Sequence, residues 1–334
     1  MPRTVEDFGE FGLIDRLARI LPTSPALVEP IGDDCAVVRI GDRLLLASSD
    51  MFVEDVHFRR DRIPADAIGW KAAVAALSDI AAMGGAPVFC LVSIACPGDT
   101  RVSFLEEIYR GLSSAMSRFG AVVAGGDTTR SLDRLVIDVA IIGQVLSSRC
   151  LRRKGAKVGD LLAVTGFPGS AAAGLHALEH DADEHDPGRA LAEIHQRPRP
   201  RVREGQWLSN RAAVHAMIDV TDGLAQDAGH IADSSGLGVD IDPESIPVNE
   251  GLAAYCADHG LDARHLALTG GEDYELCFAI DPDDQDQMAE AFRHEFHTEV
   301  SIVGRFTDAW LGFRIAGQPS DMRGYDHFRT TPDA

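Results

Sequence analysis

Ala121-Val122-Val123-Ala124-Gly125-Gly126-Asp127 is a short apolar run that closes on two glycines and a carboxylate, the signature of a strand entering a tight turn. The arrangement recurs on either side. Leu44 to Ala47 leads into Ser48-Ser49-Asp50, Val88 to Ile94 ends near Pro97, and Leu135 to Ile142 ends at Gly143. Between these predicted strands, Asp66 to Met83 and Val102 to Phe119 carry alanine and leucine at helical spacing. Ahead of them, Glu10 to Leu21 reads as an amphipathic helix, with Phe11, Ile14, Leu17, Ala18 and Leu21 on one stripe and Pro22 ending it. Strands alternate with helices, which predicts an α/β or α+β fold.

A second series comes after Ser147-Ser148 and the basic cluster Arg149, Arg152, Arg153, Lys154 and Lys157. Leu161 to Thr165, Ala216 to Val220 and Asp273 to Ile280 read as strands, and Gly169 to Leu178, Leu224 to Ser234 and Pro282 to Phe296 as helices. The chain has 334 residues, about twice the usual domain length. Two domains are therefore expected, 1–147 and 148–334. His180 to Gly188 is polar, and Pro198 and Pro200 punctuate the residues after it, so this stretch reads as surface connection.

Charge excludes several functions. With 31 basic and 52 acidic residues the net charge is −21, so nucleic acid is not an expected partner. Met1 to Leu21 lacks a signal-peptide core, and the longest apolar runs, Val88 to Cys96 and Leu135 to Leu146 with Asp138 inside it, fall short of the ~18 residues of a membrane span. A soluble, cytoplasmic protein is expected. Six cysteines without a C-x-x-C pair argue against zinc and disulfides. The sequence has no G-x-x-x-x-G-K-[ST], its only lysines are Lys71, Lys154 and Lys157, and no G-x-G-x-x-G follows a strand. Any polyphosphate must be neutralised by cations and a few arginines.

The carboxylates fall where loops build sites. Asp33 and Asp34 sit in a turn after Gly32, and Asp50 and Asp127 at predicted strand ends. Asp79 lies on the alanine-rich helix, Asp219 and Asp222 flank Thr221, and Glu272 and Asp273 follow Gly270-Gly271. One such aspartate is most often a turn-former or a helix cap. Their recurrence behind glycines and hydroxyls favours a multi-metal platform. Magnesium takes oxygen ligands and is held by carboxylates together with substrate phosphates.

Several segments together resemble one family: Gly9-Glu10-Phe11, Ile31 to Ala36, Ser48-Ser49-Asp50, Val56-His57-Phe58, Leu77 to Gly84, Gly125 to Arg130, Thr221 to Leu224, Gly270 to Leu276 and Gly324 to Phe328. They are similar to the motifs of the thiamine-monophosphate kinases, in the aminoimidazole-ribonucleotide-synthetase-like (PurM-like) superfamily, and keep the family order. Two substitutions depart from the common pattern, Ser49 where threonine is usual and Thr221 where serine is usual, and both keep the hydroxyl. The resemblance implies two PurM-like α/β domains, the first forming the dimer sheet and the second closing the site. It implies Mg2+-dependent transfer of the ATP γ-phosphoryl group to thiamine monophosphate by a homodimer, and leaves a monovalent cation open. It places Asp34, Ser48, Ser49, Asp50, Asp79, Asp127, Asp219 and Asp222 around metal, and Tyr109, Gly126, Asp127, Arg153 and Thr221 at the nucleotide. His57, Glu272 and Tyr325 fall at the thiamine side, and Asp50, Asp79, Asp127 and Arg153 in the catalytic set.

Other readings make different demands. Selenophosphate synthetase needs a reactive cysteine near its start, where this chain has none before Cys35, and the hydrogenase-maturation dehydratase ends in cysteine, where this chain ends Pro332-Asp333-Ala334. Aminoimidazole ribonucleotide synthetase shares the aspartate platform. A non-catalytic acidic cation-binding protein predicts runs of acid rather than single carboxylates behind glycine. Outside the motifs, His180, Asp181, Asp183 and His185 read as a solvated loop, Met83 as core, His230 as a satisfied helix histidine, and His327 as a residue positioning the tail. Asp227 divides evenly between a structural and a functional reading.

Overall fold

The alanine-rich run forms helix α2 (Ala65–Ala82), in which every residue except Asp66 and Asp79 is buried. A helix apolar on all sides is one enclosed on all sides. In this computed structural model, which describes residues 3–145, 149–180, 187–322 and 324–328, α2 lies between a sheet and two further helices. The expected boundary at 147/148 lies outside the described residues, as do Asp181, Asp183 and His185.

The first half contributes α1 (Gly9–Ala18), α3 (Val102–Arg118) and strands β1 (Leu27–Glu29), β2 (Ala36–Ile40), β3 (Arg43–Val53), β4 (Ala86–Cys96), β5 (Val122–Arg130) and β6 (Val136–Gln144). They form a six-stranded sheet ordered β1-β2-β3-β6-β4-β5, antiparallel except for the β4–β5 pair. Helices α2 and α3 cross at glycines. A Cβ on Gly69 would lie 1.9 Å from the Ile108 carbonyl oxygen, and one on Gly111 1.7 Å from that of Asp66. Along β4, Cys90, Val92 and Ile94 are buried while Val88 and Leu91 are exposed, so the helices cover one sheet face only.

The second half contributes β7 (Leu161–Thr165), α4 (Ser170–Glu179), α5 (Pro187–Gln196), α6 (Val202–Ser209), β8 (Val214–Val220), α7 (Leu224–Ser235), β9 (Gly238–Ile241), α8 (Glu250–His259), α9 (Ala263–Thr269), β10 (Glu275–Ile280), α10 (Gln285–Phe296), β11 (Val300–Thr307), β12 (Gly312–Ile315) and β13 (Gln318–Pro319). Their sheet runs β13-β12-β9-β11-β7-β10-β8, with β12–β9 its one parallel pair among the described residues. Strands β7 and β10 are buried at every position, which is why Leu161–Val164 and Leu276–Ile280 read as unbroken apolar runs.

Two expectations need correction. Asp50 and Asp127 do not end their strands: β3 continues to Val53 and β5 to Arg130. Ladder pairing with β6 and β4 carries the backbone past the point where apolar side chains stop. Nor is the stretch after Gly188 surface connection. It forms α5 and α6, Pro198 and Pro200 are buried, and the Trp70 indole N–H donates to the Pro198 carbonyl at 2.8 Å. A Cβ on Gly205 would lie 2.1 Å from the Ala81 carbonyl oxygen, so α6 rides directly on α2. Polarity misled there because the buried charges are paired. Arg201 donates to both oxygens of Glu275 (2.6 and 2.5 Å) and to Glu204 at 3.3 Å.

Candidate active site

Four carboxylates converge from four elements. Asp34 comes from the turn before β2, Asp50 from β3, Asp79 from the last turns of α2 and Asp219 from β8. Oxygens of Asp34, Asp79 and Asp219 lie within 4.8 Å of one another. Ser48 donates to Asp79 Oδ2, and Ser49 donates to Asp138 Oδ1 at 2.8 Å. The Oδ2 atoms of Asp34, Asp50 and Asp219 are buried and accept no hydrogen bond from the described residues. Buried oxygens without donors are costly unless a cation meets them. Hard oxygens at this spacing fit Mg2+.

Their protonation reports the same crowding. Burial first, then Asp138 and Asp34, pushes Asp50 up to about 7. Burial and Asp34 push Asp219 up to about 8, and burial and Asp34 push Asp33 up to about 7. Asp79 rises well above the usual range through burial, Asp50, Asp219 and Asp34. Arg153 is the cation of this cluster. Its Nε and one terminal nitrogen donate to Asp34 Oδ1 (2.9 and 2.6 Å), and its backbone N–H donates to Asp33.

Beside the cluster, Thr221, Asp222 and Gly223 form the turn between β8 and α7, and all three backbone N–H groups donate to the buried Asp227 Oδ2 (3.0, 3.2 and 3.2 Å). Asp227 thus shapes the turn, which settles its even reading toward structure. Asp222 accepts from Gln226 at 3.0 Å, and burial and Glu10 push it up to about 6. The tail returns here. The Tyr325 N–H donates to the Asp222 carbonyl at 3.0 Å, and Asp326 accepts from the Glu10 N–H.

A second group lies close by. His57 Nδ1 accepts from the Val53 N–H at 3.1 Å, and burial, with His327 next, lowers its pKa to about 4. The His57 and His327 rings stand 5.0 Å apart, and Tyr325 meets His327 edge-on at 4.8 Å. Glu272, at φ 66, accepts from Lys71 Nζ at 2.7 Å. Tyr274, at φ 52 and buried, joins the groups: its phenol is pushed up by burial and then by Glu272, Asp50, Asp219 and Asp79. The fold thus brings together every residue expected at the thiamine side and most of the expected metal shell. Two residues are exceptions: Ser49, exposed on the face of β3 opposite Ser48 and Asp50, and Asp127, exposed on the edge strand β5 and accepting its own neighbour's N–H, from Thr128, at 2.9 Å. Gly126 beside it, at φ 153, lies where a Cβ would be 1.8 Å from the Val92 carbonyl oxygen, and Tyr109 packs half-buried from α3 against the core of the first half. Sequence reasoning assigns no site role to Asp138, Tyr274, Lys71 or His195. The break that Asp138 makes in an apolar strand was the visible signal.

Models of the AIR synthase related protein match the chain twice, the N-terminal domain over residues 32–145 and the C-terminal domain over 157–316. Thiamine-monophosphate kinase of Aquifex aeolicus is 34% identical over 325 residues (97% of this chain, 99% of the relative), and that of Escherichia coli K12 38% over 330 (96% and 99%). This chain belongs to the thiamine-monophosphate kinase family. A solved structure of AaThiL complexed with AMPPCP and TMP superposes with a TM-score of 0.86 at 32% identity, covering 98% of this chain and 99% of that one. The two-domain PurM-like α/β fold expected of a thiamine-monophosphate kinase is the fold observed. No helix among the described residues is long and apolar enough to cross a membrane.

Proposed function

We propose that the chain transfers the γ-phosphoryl group of ATP to thiamine monophosphate, giving thiamine diphosphate and ADP. The observation that carries this reading is the pairing of a buried carboxylate cluster holding unpartnered oxygens with a neighbouring group of His57, Glu272 and Tyr325. The first suits a cation-borne polyphosphate, and the second a cationic heterocycle. The AaThiL complex with AMPPCP, an ATP analogue, and TMP supports the same pair of ligands.

In this reading Asp34, Ser48, Ser49, Asp50, Asp79, Asp219 and Asp222 hold Mg2+, and Asp127 serves it from the outer rim of β5. Bound Mg2+ would neutralise phosphate charge and its build-up during transfer. Arg153, resting on Asp34, is placed to pair with phosphate oxygens, and Thr221 and Gly126 present backbone near the nucleotide, with Tyr109 beside it. Glu272 and the Tyr325 ring orient the thiamine moiety by charge and stacking, while His57, held neutral, adds a polar contact. No covalent nucleophile is needed, since the acceptor is a phosphate monoester already largely ionised, and positioning carries much of the barrier. The chain divides near 147/148 into a first domain carrying most metal residues and a second that closes over them. The exposed sheet face with Val88 and Leu91 supports a homodimer through the first domain. A monomer at micromolar concentration by light scattering would overturn that assembly. ATP turnover measured with and without thiamine monophosphate tests the function: thiamine diphosphate must form in step with ADP. ADP formation independent of the acceptor would point to another aspartate-platform enzyme, and no turnover to a cation-binding protein.

A further inference from the structure

Lysine occurs at three positions in this chain, and Lys154 and Lys157 are exposed. Lys71 is not: it lies in the middle of α2 among alanines, with its side chain 1% exposed. Its ammonium has two partners among the described residues, both from the second half. Nζ donates to Glu272 Oε2 at 2.7 Å and contacts His195 Nε2 at 3.0 Å. His195, buried on α5, is 3.1 Å from the Ala171 carbonyl through Nδ1. A carbonyl can only accept, so Nδ1 carries the proton, and Nε2 is left to accept from Lys71. Donation therefore runs outward from Lys71, through His195 to the Ala171 carbonyl on one side and to Glu272 on the other.

Its terminus is unusual. Glu272 sits at φ 66, a conformation that L residues other than asparagine and aspartate rarely adopt. Its backbone N–H is fixed by the Thr221 carbonyl at 2.8 Å, and its side chain remains 26% exposed. Lys71 occupies Oε2, whereas Oε1 accepts no hydrogen bond from the described residues. A buried ion pair is weak evidence for stability, because apolar residues of similar volume usually serve as well. A pair that leaves one oxygen of a strained carboxylate open beside His57 has another use.

We propose that Lys71, oriented by His195, is a positioning residue for the acceptor: it fixes Glu272 Oε2 so that Oε1 is presented, ionised, to the cationic heterocycle of thiamine monophosphate. This deepens the proposed function and rests on Glu272 lying at the thiamine side. Because Lys71 belongs to α2 and both its partners to the second half, the contact also ties acceptor recognition to the packing of the two halves. The ionisation balance agrees. Burial alone would raise the Glu272 pKa, but the charge and hydrogen bond of Lys71 lead the opposing effects and hold the carboxyl below its usual range.

The test compares Lys71→Met, Glu272→Gln and the double variant in full-length protein, with KM for thiamine monophosphate, KM for ATP and kcat measured separately. Lys71→Met and Glu272→Gln should each raise KM for thiamine monophosphate by about ten- to a hundred-fold, leaving KM for ATP within about three-fold. The double variant should be no worse than Glu272→Gln alone, since Lys71 acts only through that carboxylate. It leaves neither charge buried and unpaired, so it reads out the coupling even if Lys71→Met alone does not fold. A purely structural lysine would lower thermal stability without separating the two KM values. Equal changes in both KM values, an unchanged KM for thiamine monophosphate in Lys71→Met, or multiplying effects in the double variant would overturn the proposal. An unchanged KM for thiamine monophosphate in Glu272→Gln would instead remove Glu272 from the acceptor site, and with it both readings of that residue.

Discussion

Two carboxylate groups in this molecule solve the same electrostatic problem in opposite ways. At Glu272 the protein supplies its own cation, Lys71 at 2.7 Å, and the carboxyl pKa falls. At Asp34, Asp50, Asp79 and Asp219 the supply among the described residues is a single guanidinium, Arg153, against four acids, and every one of the four is pushed upward with burial as the leading cause. Buried charge must be balanced from somewhere. The first group is complete as folded and can wait for an organic cation at its free oxygen, whereas the second has oxygens left over that only an incoming ion satisfies.

The sharpest way to break this contrast is to weaken the deficient cluster. Removing divalent ions with EDTA should nearly abolish nucleotide binding measured by calorimetry, and magnesium should restore it. Asp79→Asn should cut turnover by at least about a hundred-fold, about 2.7 kcal/mol of transition-state stabilisation. The same variant should match or exceed the parent in melting temperature when both are metal-free, because the cost of burying and protonating that carboxylate is gone. Tight ATP binding in EDTA, or an Asp79→Asn protein with most of its activity, would show that the cluster needs no outside cation.

The self-balanced group should answer more gently. Tyr325→Ala removes one aromatic face while leaving Glu272 and Lys71 in place, so KM for thiamine monophosphate should rise by about ten- to thirty-fold, roughly 1 to 2 kcal/mol, with ATP affinity within a few fold. An equal fall in ATP affinity would move Tyr325 out of the acceptor group.

The smallest effect distinguishes the groups by pH. Asp33 and Asp50 near 7 and Asp219 near 8 hold protons in the folded protein that the unfolded chain, with ordinary aspartates, has already released. The folded state binds more protons, so stability falls as pH rises. His57 and His195, lowered to about 4, act in the other direction, but their contribution is complete above the ordinary histidine range. Between about pH 6.5 and 8.5 the metal-free melting temperature should therefore drop by a few degrees, and saturating Mg2+ should flatten the curve. A metal-free curve that rises across this window would contradict the upward shifts.

The sequence announced the alternation of strands and helices through its periodicity, because an apolar stripe at one spacing can bury itself in only one kind of element. It announced the carboxylates and glycines of the site in the same way. Asp33, Asp34, Asp79, Asp219 and Asp222 were visible from the residues around them, and the family motifs assigned all but Asp33 to one metal platform. The segment from Pro187 to Ser209 stayed illegible because its polar groups are satisfied by partners far along the chain, Arg201 by Glu275 and the Pro198 carbonyl by Trp70, and no local pattern records a distant partner. The extent of β3 and β5 was hidden likewise, since it is set by their neighbours in the sheet. Lys71 is the clearest case. In sequence it is a polar break in an apolar helix, and only the packing of α2 against the second half turns it into the counter-ion of Glu272, 201 positions away. Local chemistry fixes which residues can form elements and bind ions, whereas a long-range charge pair exists only once burial has removed the water that would otherwise screen it.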